Sequence, residues 1–444
     1  MRRMQAGARV HDVRYESAEP GAIRALQVTR LRELLRFVHA TNEFYRAHWD
    51  AAGVDIERVD SLEALAALVP MVSKSDFVDD QLAHPPYGKR LERAIGLGQR
   101  LEIYTTSGTS GQGVEIHAQT GRELDEMVEM YRYLFRWAGL DPGDVAVLTL
   151  PLTMLGGGRI EWQGAVGSGL TVLPAGNIDA RAKLALIDRF QPKALYGSTS
   201  YFGHLLAIAE RTPPCPSVEV LLTGLEGVGF SYLEQLQQGW QAVIADRFGC
   251  TQVRADFMFT CEHGIGTADR PGLLHNLDPF IITEVIDVET GLHVADGEFG
   301  ELVVTSLYHL DNPVVRCRLR DGGVWHPGSY CSCGRPFGGV EVASVTRTDD
   351  VKKIKGINVF PQAVDDVVFS FAEVDEYRVV LTSSPSMADV ATVRLMLKGP
   401  ADGVAERIGG ALRHRIGIQF AVEVVDDLER SEYKVRRWHD ERVR

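Results

Sequence analysis

Two stretches of the chain carry residue types and spacings that could do chemistry. The first is Tyr104-Thr105-Thr106-Ser107-Gly108-Thr109-Ser110-Gly111-Gln112-Gly113, a run of hydroxyls and glycines. Its glycines let the backbone turn sharply and come close to a ligand. Its hydroxyls and free N–H groups are donors suited to phosphate oxygens. It is not a GxxxxGK[ST] loop, because no lysine follows the last glycine and no helical pattern opens there. Loops of this composition also make plain solvated hairpins, so the chemistry depends on what else reaches it. The second stretch is Cys331-Ser332-Cys333-Gly334. A CxC pair followed by glycine suits a knuckle presenting two thiolates to one Zn²⁺; free thiols in a reducing compartment are the alternative.

The elements that must hold these residues follow from periodicity. Leu101-Glu102-Ile103 and Val114-Glu115-Ile116 flank the loop as strand, turn, strand. Helices are expected over 22–48, from Ser61, and over 121–138, where Met127, Met130, Tyr131, Leu134 and Phe135 make a core stripe. Strands at 144–150, 169–173, 194–197 and 218–224 alternate with a glycine turn at 156–158 and helices at 201–209 and 231–248. Such alternation predicts a layered α/β domain with a largely parallel sheet. Ligands gather at the carboxyl ends of such strands, where Gly197-Ser198-Thr199, Gly224-Leu225-Glu226 and Thr260-Cys261-Glu262 fall. Short strands from 280 suggest a β-rich subdomain to 347, and 350–444 reads as a small α+β unit. The expected fold is therefore α/β: a large N-terminal layered domain over 1–347 with the β-rich subdomain, and a small mobile C-terminal domain over 350–444.

Composition narrows the function. At 444 residues the chain should hold two or three domains. A net charge of −13 argues against nucleic acid as a partner. No apolar run is long enough to span a bilayer, the N-terminus lacks the apolar core of a signal peptide, and six cysteines in so long a chain do not make a disulfide scaffold. A cytoplasmic enzyme is the expectation.

Several short motifs then line up in one order. Asn42-Glu43-Phe44-Tyr45-Arg46, Pro70-Met71-Val72-Ser73-Lys74, Thr106-Ser107-Gly108-Thr109-Ser110-Gly111, Asp296-Gly297-Glu298-Phe299-Gly300-Glu301, Pro313 to Asp321, Thr346-Arg347-Thr348-Asp349-Asp350, Lys355-Gly356-Ile357-Asn358 and Arg430 to Arg437 run through almost the whole chain. In that order they resemble the adenylate-forming enzymes, and within them the phenylacetate–coenzyme A ligase branch.

The resemblance implies an ATP-dependent, AMP-forming acid ligase. A carboxylate attacks the α-phosphate of ATP, pyrophosphate leaves, and the acyl group passes to coenzyme A. A carrier protein, an amine or another small nucleophile of a biosynthetic pathway is the alternative acceptor, and a non-catalytic nucleotide-binding module is a third reading. The implied roles are phosphate binding by Thr106, Ser107, Gly108, Thr109, Ser110 and Gly111, and Mg²⁺ binding by Glu262. Asp321 would accept the ribose hydroxyls, Arg347 would reach the ribose or phosphates, and Asp349 would be the hinge. Lys434 would neutralise charge during adenylation, while Gly356 would approach the thiol in the second step. Gly224 and Glu226 would lie at the nucleotide. Two departures stand out: Gln112 occupies the loop's usual lysine position, and no adenine-stacking tyrosine precedes Glu262, leaving Phe257 or Phe259 to supply the flat face.

The acid is expected to be aromatic, with Tyr196, Gly197, Ser198 and Phe257 lining its pocket and His204 or Gly157-Gly158-Arg159 meeting a ring substituent. The resemblance also implies a structural Zn²⁺ on Cys331, Cys333 and His275. Cys261 is the leading fourth ligand, with Asp269, His263 and His326 as rivals. A homodimer is compatible with all of this.

Overall fold

The computed structural model describes residues 9–106, 114–355, 357–384, 389–428 and 437–442. The N-terminal helical region is two helices, Pro20–Thr41 and Glu43–Ala51, because Asn42 turns extended and its side chain accepts from the Tyr45 amide. Ser61 caps Leu62–Leu68 as its position before the apolar run predicts. The strands Leu101–Thr105 and Ile116–Thr120 pair antiparallel around the loop. The second feeds directly into the helix Gly121–Ala138, opened by a capping box between Thr120 and Glu123 and closed by Gly139 at φ 84°.

The parallel strands Thr171–Pro174, Val145–Leu148, Ala194–Tyr196, Val220–Thr223 and Val243–Cys250 lie side by side. They match the β-α alternation, with two differences. The expected turn at 156–158 is the opening of a helix, Gly156–Gly167, in which Gly157 and Gly158 leave helical geometry. Gly158 sits at φ 32°, and a Cβ there would stand 2.3 Å from the Pro151 carbonyl oxygen. The expected helix over 231–248 ends at Trp240, where Gln241 turns left-handed. The chain then becomes the strand Val243–Cys250, whose β-branched start pairs with Val220–Thr223 on one side and Ala255–Thr260 on the other. A helical stripe and a buried strand share the same apolar letters here, and only the sheet neighbours separate them.

Ala255–Thr260 reverses direction and joins the parallel strands to Leu273–Asn276, Gly339–Glu341, Cys317–His326, Phe299–Ser306 and Ile281–Ile286. The strands expected to form a β-rich subdomain are thus continuous with the parallel ones in one 12-stranded sheet. Beyond it, Ala421–Val424, Asp389–Leu397, Val374–Ser383 and Trp438–Asp440 make a four-stranded sheet. The helix Pro361–Phe369 connects this part to the larger one. Asp365 accepts from the Gly229 amide (3.1 Å) and Asp366 from the Ser231 amide (3.1 Å) at the N-terminus of Phe230–Trp240, a favourable place for carboxylates. Among the described residues no helix is long and apolar enough to cross a membrane.

Candidate functional site

The loop expected to bind phosphate is described at its first residue, Thr106. Thr106 donates its amide to the Glu115 carbonyl (3.1 Å), and its Oγ1 accepts from the Glu115 amide (3.0 Å), which closes the base of the hairpin. Ser107, Gly108, Thr109, Ser110 and Gly111 lie outside the described residues. The charges around that base are ones that the motif search left without a role. Lys74 Nζ stands 3.5 Å from Thr106 Oγ1 and 3.7 Å from the carboxylate of Glu115. Glu115 is fully buried, and Gln252 donates to both its oxygens at 2.9 and 3.0 Å. Burial opposes its ionisation, but hydrogen bonding with His117 and Gln252 and the charge of Lys74 hold its carboxyl below the ordinary value. Burial drives buried His117, 3.6 Å away, down to about 4. Lys74 therefore brings a cation to a loop that carries Gln112 where a lysine is usual. Lys74 lies in the Pro70 to Lys74 motif, whereas no spacing in the sequence marks Gln252.

Asp321, Arg347 and Asp349, expected at the ribose and the hinge, lie near one another. Cys317–His326 and Thr346–Arg347 pair with Asp321 opposite Arg347, and Arg347 Nη1 lies 3.7 Å from Asp321 Oδ2. Arg347 and Arg320 both reach Asp349, at 3.9 and 3.5 Å. Gly356 and Lys434 lie outside the described residues. Close to Lys434 in sequence, Arg437 is buried, with Nε 2.7 Å from Glu376 and its guanidinium over the Tyr232 ring.

On the acid side, Tyr196 ends its strand fully buried, and Ser198 caps the helix Thr199–Ile208. The Gly224 amide donates to Thr199 Oγ1 (3.2 Å), and Glu226 accepts from the Ser200 amide (2.6 Å), so the segments around 198 and 225 are one unit. His204 is on the same helix against Tyr201, ring centroids 5.7 Å apart. Phe257 packs edge-on against Phe248 (5.6 Å). Phe259 is wedged between Tyr131 and Trp137, at 6.3 and 6.5 Å, and is fully buried.

The four thiol and imidazole groups come together as the sequence suggested. One ligand atom from each of Cys261, His275, Cys331 and Cys333 lies within 4.8 Å of all the others. Cys261 and Cys331 Sγ are 3.7 Å apart, and Cys333 Sγ is 3.5 Å from His275 Nε2. Two thiolates on one tetrahedral Zn²⁺ stand about 3.8 Å apart, and a thiolate and an imidazole nitrogen about 3.5 Å. His275 Nδ1 faces the Phe337 carbonyl at 2.9 Å, so Nδ1 donates and Nε2 keeps its lone pair for a metal. Hydrogen bonds from Cys261 and Cys331 push the Cys333 thiol well down. Of the rivals for the fourth position, His263 contacts Ser332 (3.1 Å) and His326 pairs with Glu341 (2.9 Å). Glu262 belongs to this region as well: its carboxylate is 2.8 Å from Arg335, which also holds Glu16 at 2.7 Å.

The chain is similar to known proteins along nearly its whole length. The family model "AMP-binding enzyme" matches residues 53–308, and that of the AMP-binding enzyme C-terminal domain matches 356–442. A phenylacetate-coenzyme A ligase of Escherichia coli (strain K12) is 26% identical over 440 residues, 96% of this chain and 96% of that protein. One from Thermus thermophilus is 26% identical over 383 residues, covering 85% and 82%. Among solved structures, a 2-hydroxyisobutyryl-CoA ligase in the postadenylation state superposes with TM-score 0.84 at 21% identity, over 98% of this chain and 93% of that one. The same ligase in its thioesterification state gives 0.71 at 22% identity, over 99% and 94%.

Proposed function

The chain belongs to the AMP-binding enzyme family, and on that premise we propose that this ATP-dependent, AMP-forming ligase activates an aromatic carboxylic acid and transfers the acyl group to coenzyme A. Coenzyme A as acceptor is supported by relatives along nearly the whole chain that are coenzyme A ligases. The observation that carries the ATP half is Lys74, whose ammonium stands at the first hydroxyl of the phosphate loop with a buried carboxylate behind it.

Adenylation asks the protein for positioning and charge neutralisation more than for covalent chemistry. Thr106 and the loop after it hold the outgoing pyrophosphate, and Lys74 supplies the positive charge that Gln112 does not. Asp321 accepts from the ribose hydroxyls, and Arg347, held across the strand pair, reaches toward the phosphates. Lys434 meets the charge that develops between carboxylate and α-phosphate. Mg²⁺ wants hard oxygen ligands. Glu262 would hold the ion that screens the phosphates; its carboxylate pairs with Arg335 at 2.8 Å. Asp349 is the hinge about which the 350–444 domain would bring Gly356 toward the thiol. Cys261, His275, Cys331 and Cys333 would hold one Zn²⁺. With four protein ligands it has no open position and would act as a structural clamp.

A pyrophosphate-exchange assay over benzoic and phenylacetic acids, followed by thioester detection with and without coenzyme A, tests this reading. Exchange with an aromatic acid and a thioester product are expected, and Lys434→Ala is expected to abolish exchange in a protein that melts normally. ATP binding without exchange for any acid would refute the ligase reading. Exchange without a thioester would move the acceptor to a carrier protein or amine.

A further inference from the structure

The C-terminal domain docks on the larger part of the molecule largely through one pair of helices. Pro361–Phe369 lies against Phe230–Trp240, whose first amides have no acceptor within their own helix. Asp365 accepts from the Gly229 amide and Asp366 from the Ser231 amide, each at 3.1 Å. The Phe230 amide also donates to Asp366. On the flanks Gln362 donates to the Val345 carbonyl (2.9 Å) and Gln235 to the Phe369 carbonyl. The Tyr232 and Phe369 ring centroids are 4.6 Å apart, and the Arg437 guanidinium lies 4.9 Å from each. Gly229 is pressed into this contact: a Cβ there would stand 2.6 Å from Asp366 Oδ1 and 2.7 Å from Asp365 Cβ.

The docking also fixes which end of the C-terminal domain faces the larger part. Arg437 closes the terminal motif, three residues beyond Lys434, and is buried against Tyr232. The hairpin that flanks Gly356, Lys352–Ile354 with Ile357–Val359, is exposed at Lys353, Lys355, Ile357 and Asn358. Its backbone is held by its own domain, the Lys355 amide by Asp389 and the Lys353 carbonyl by Arg442, each at 2.8 Å. The end of the terminal motif is thus docked while the Gly356 hairpin stands in solvent. The contact is also of a releasable kind. Burial raises both aspartates above the ordinary value, so undocking returns water to the carboxylates as it removes the amides. Polar contacts between domains open far more readily than an apolar core.

We propose that Asp365 and Asp366, closing on the amides of Gly229 to Ser231, are positioning residues that latch the C-terminal domain for adenylation and release it for thioester formation. Both act through Lys434, whose motif the latch brings to the larger part; no bond is made or broken at them. This rests on the reading above, in which Lys434 serves the first half-reaction and Gly356 the second, about a hinge at Asp349. Gly229 is what lets both aspartates close. Its backbone, at φ −71° and ψ 157°, is one that alanine also adopts. The three atoms nearest to an added methyl all belong to Asp365 and Asp366, so the methyl obstructs the docked arrangement and not the helix that carries it.

The test separates the two half-reactions in the full-length protein. Pyrophosphate exchange reads adenylation, and the synthetic acyl-adenylate of the same acid, supplied with coenzyme A, reads thioester formation. Losing a hydrogen bond to a charged group shifts a two-state docking equilibrium about tenfold. Gly229→Ala, which displaces both aspartates, and Asp366→Ala are each expected to lower exchange about tenfold while thioester formation stays within about twofold. Asp366→Asn, which keeps an acceptor, should fall between Asp366→Ala and wild type. Exchange that is unchanged, or that falls in step with thioester formation, overturns the proposal and leaves the ligase reading standing. Wild-type protein that exchanges with no acid defeats the ligase reading first, and this proposal with it. If wild type exchanges but makes no thioester, exchange decides alone, and an undiminished rate in variants that melt normally overturns the latch. If Gly229→Ala does not fold, the two Asp366 variants decide.

Discussion

The thiol knuckle and the base of the phosphate loop are both built from reactive or charged groups, yet they are finished to different degrees. Beside the knuckle the charges of Arg335, Glu16 and Glu262 are closed off. Arg335 is 4% exposed, its guanidinium meets Glu16 at 2.7 Å and Glu262 at 2.8 Å, and it lies over the Trp137 ring. Trp137 in turn donates to Glu16 at 2.9 Å. At the loop, Lys74 has contacts of 3.5 and 3.7 Å and keeps 16% of its side chain exposed. Short mutual contacts hold a structure together, whereas a cation left at slack distance beside donors is set up to tighten on an anion. On the proposed reading, the first region locks the fold and the second receives the phosphates.

That contrast can be broken from either side. The largest effect is expected from Arg335→Ala, which strands the buried carboxylate of Glu16 and releases Glu262. Loss of one partner from a buried ion pair costs about 3–5 kcal/mol, to be read by urea denaturation. A change below about 1 kcal/mol would mean that the network is not closed. Lys74→Ala should do the opposite, lowering pyrophosphate exchange by about 10²–10³, the scale for removing one charge-stabilising donor, with little change in melting temperature. An unaltered exchange rate would remove Lys74 from the phosphate site.

Cys331→Ser is expected to lower zinc content and melting temperature together, by a few degrees, because metal affinity here is folding free energy. Metal analysis that finds no zinc in the wild-type protein, with an unchanged melt in the variant, would refute the clamp. The smallest effect concerns the buried contact between Pro361–Phe369 and Phe230–Trp240. Burial raises Asp365 to about 6. An unfolded aspartate ionises near 3.9. Between those values the unfolded state holds fewer protons, so stability is full below about pH 4 and falls as pH rises to about 6, by on the order of 1–3 kcal/mol. Asp365→Asn should flatten that slope in denaturation series from pH 4 to 7. An unchanged slope would place the titration elsewhere.

Much of this architecture was legible without coordinates. The strand–loop–strand around Thr106, the helix 121–138 and the alternation through Val220–Thr223 appear where periodicity put them. The CxC spacing announced a thiol site, and Cys261 joined it ahead of Asp269, His263 and His326. One strand holds several of the residues that periodicity did not place. Reading 231–248 as a single helix concealed Val243–Cys250, and with it Arg247 and the turn that carries Gln252. Glu262 takes its expected Mg²⁺ role from the family resemblance alone, and its partner Arg335, 73 residues away in sequence, no local pattern announces.

The sequence by itself determined most element types, the order of the motifs and the identity of the family, because periodicity and short-range spacing are local properties of the chain. Tertiary structure alone decided which charges meet. Lys74 with Glu115, Asp256 with Arg247 and Glu161, and Glu262 with Arg335 are each joined by strand pairing or helix packing between distant segments. Whether a buried ionisable group serves as scaffold or as site depends on its partner, its distance and its exposure. Those are fixed only when the sheet closes.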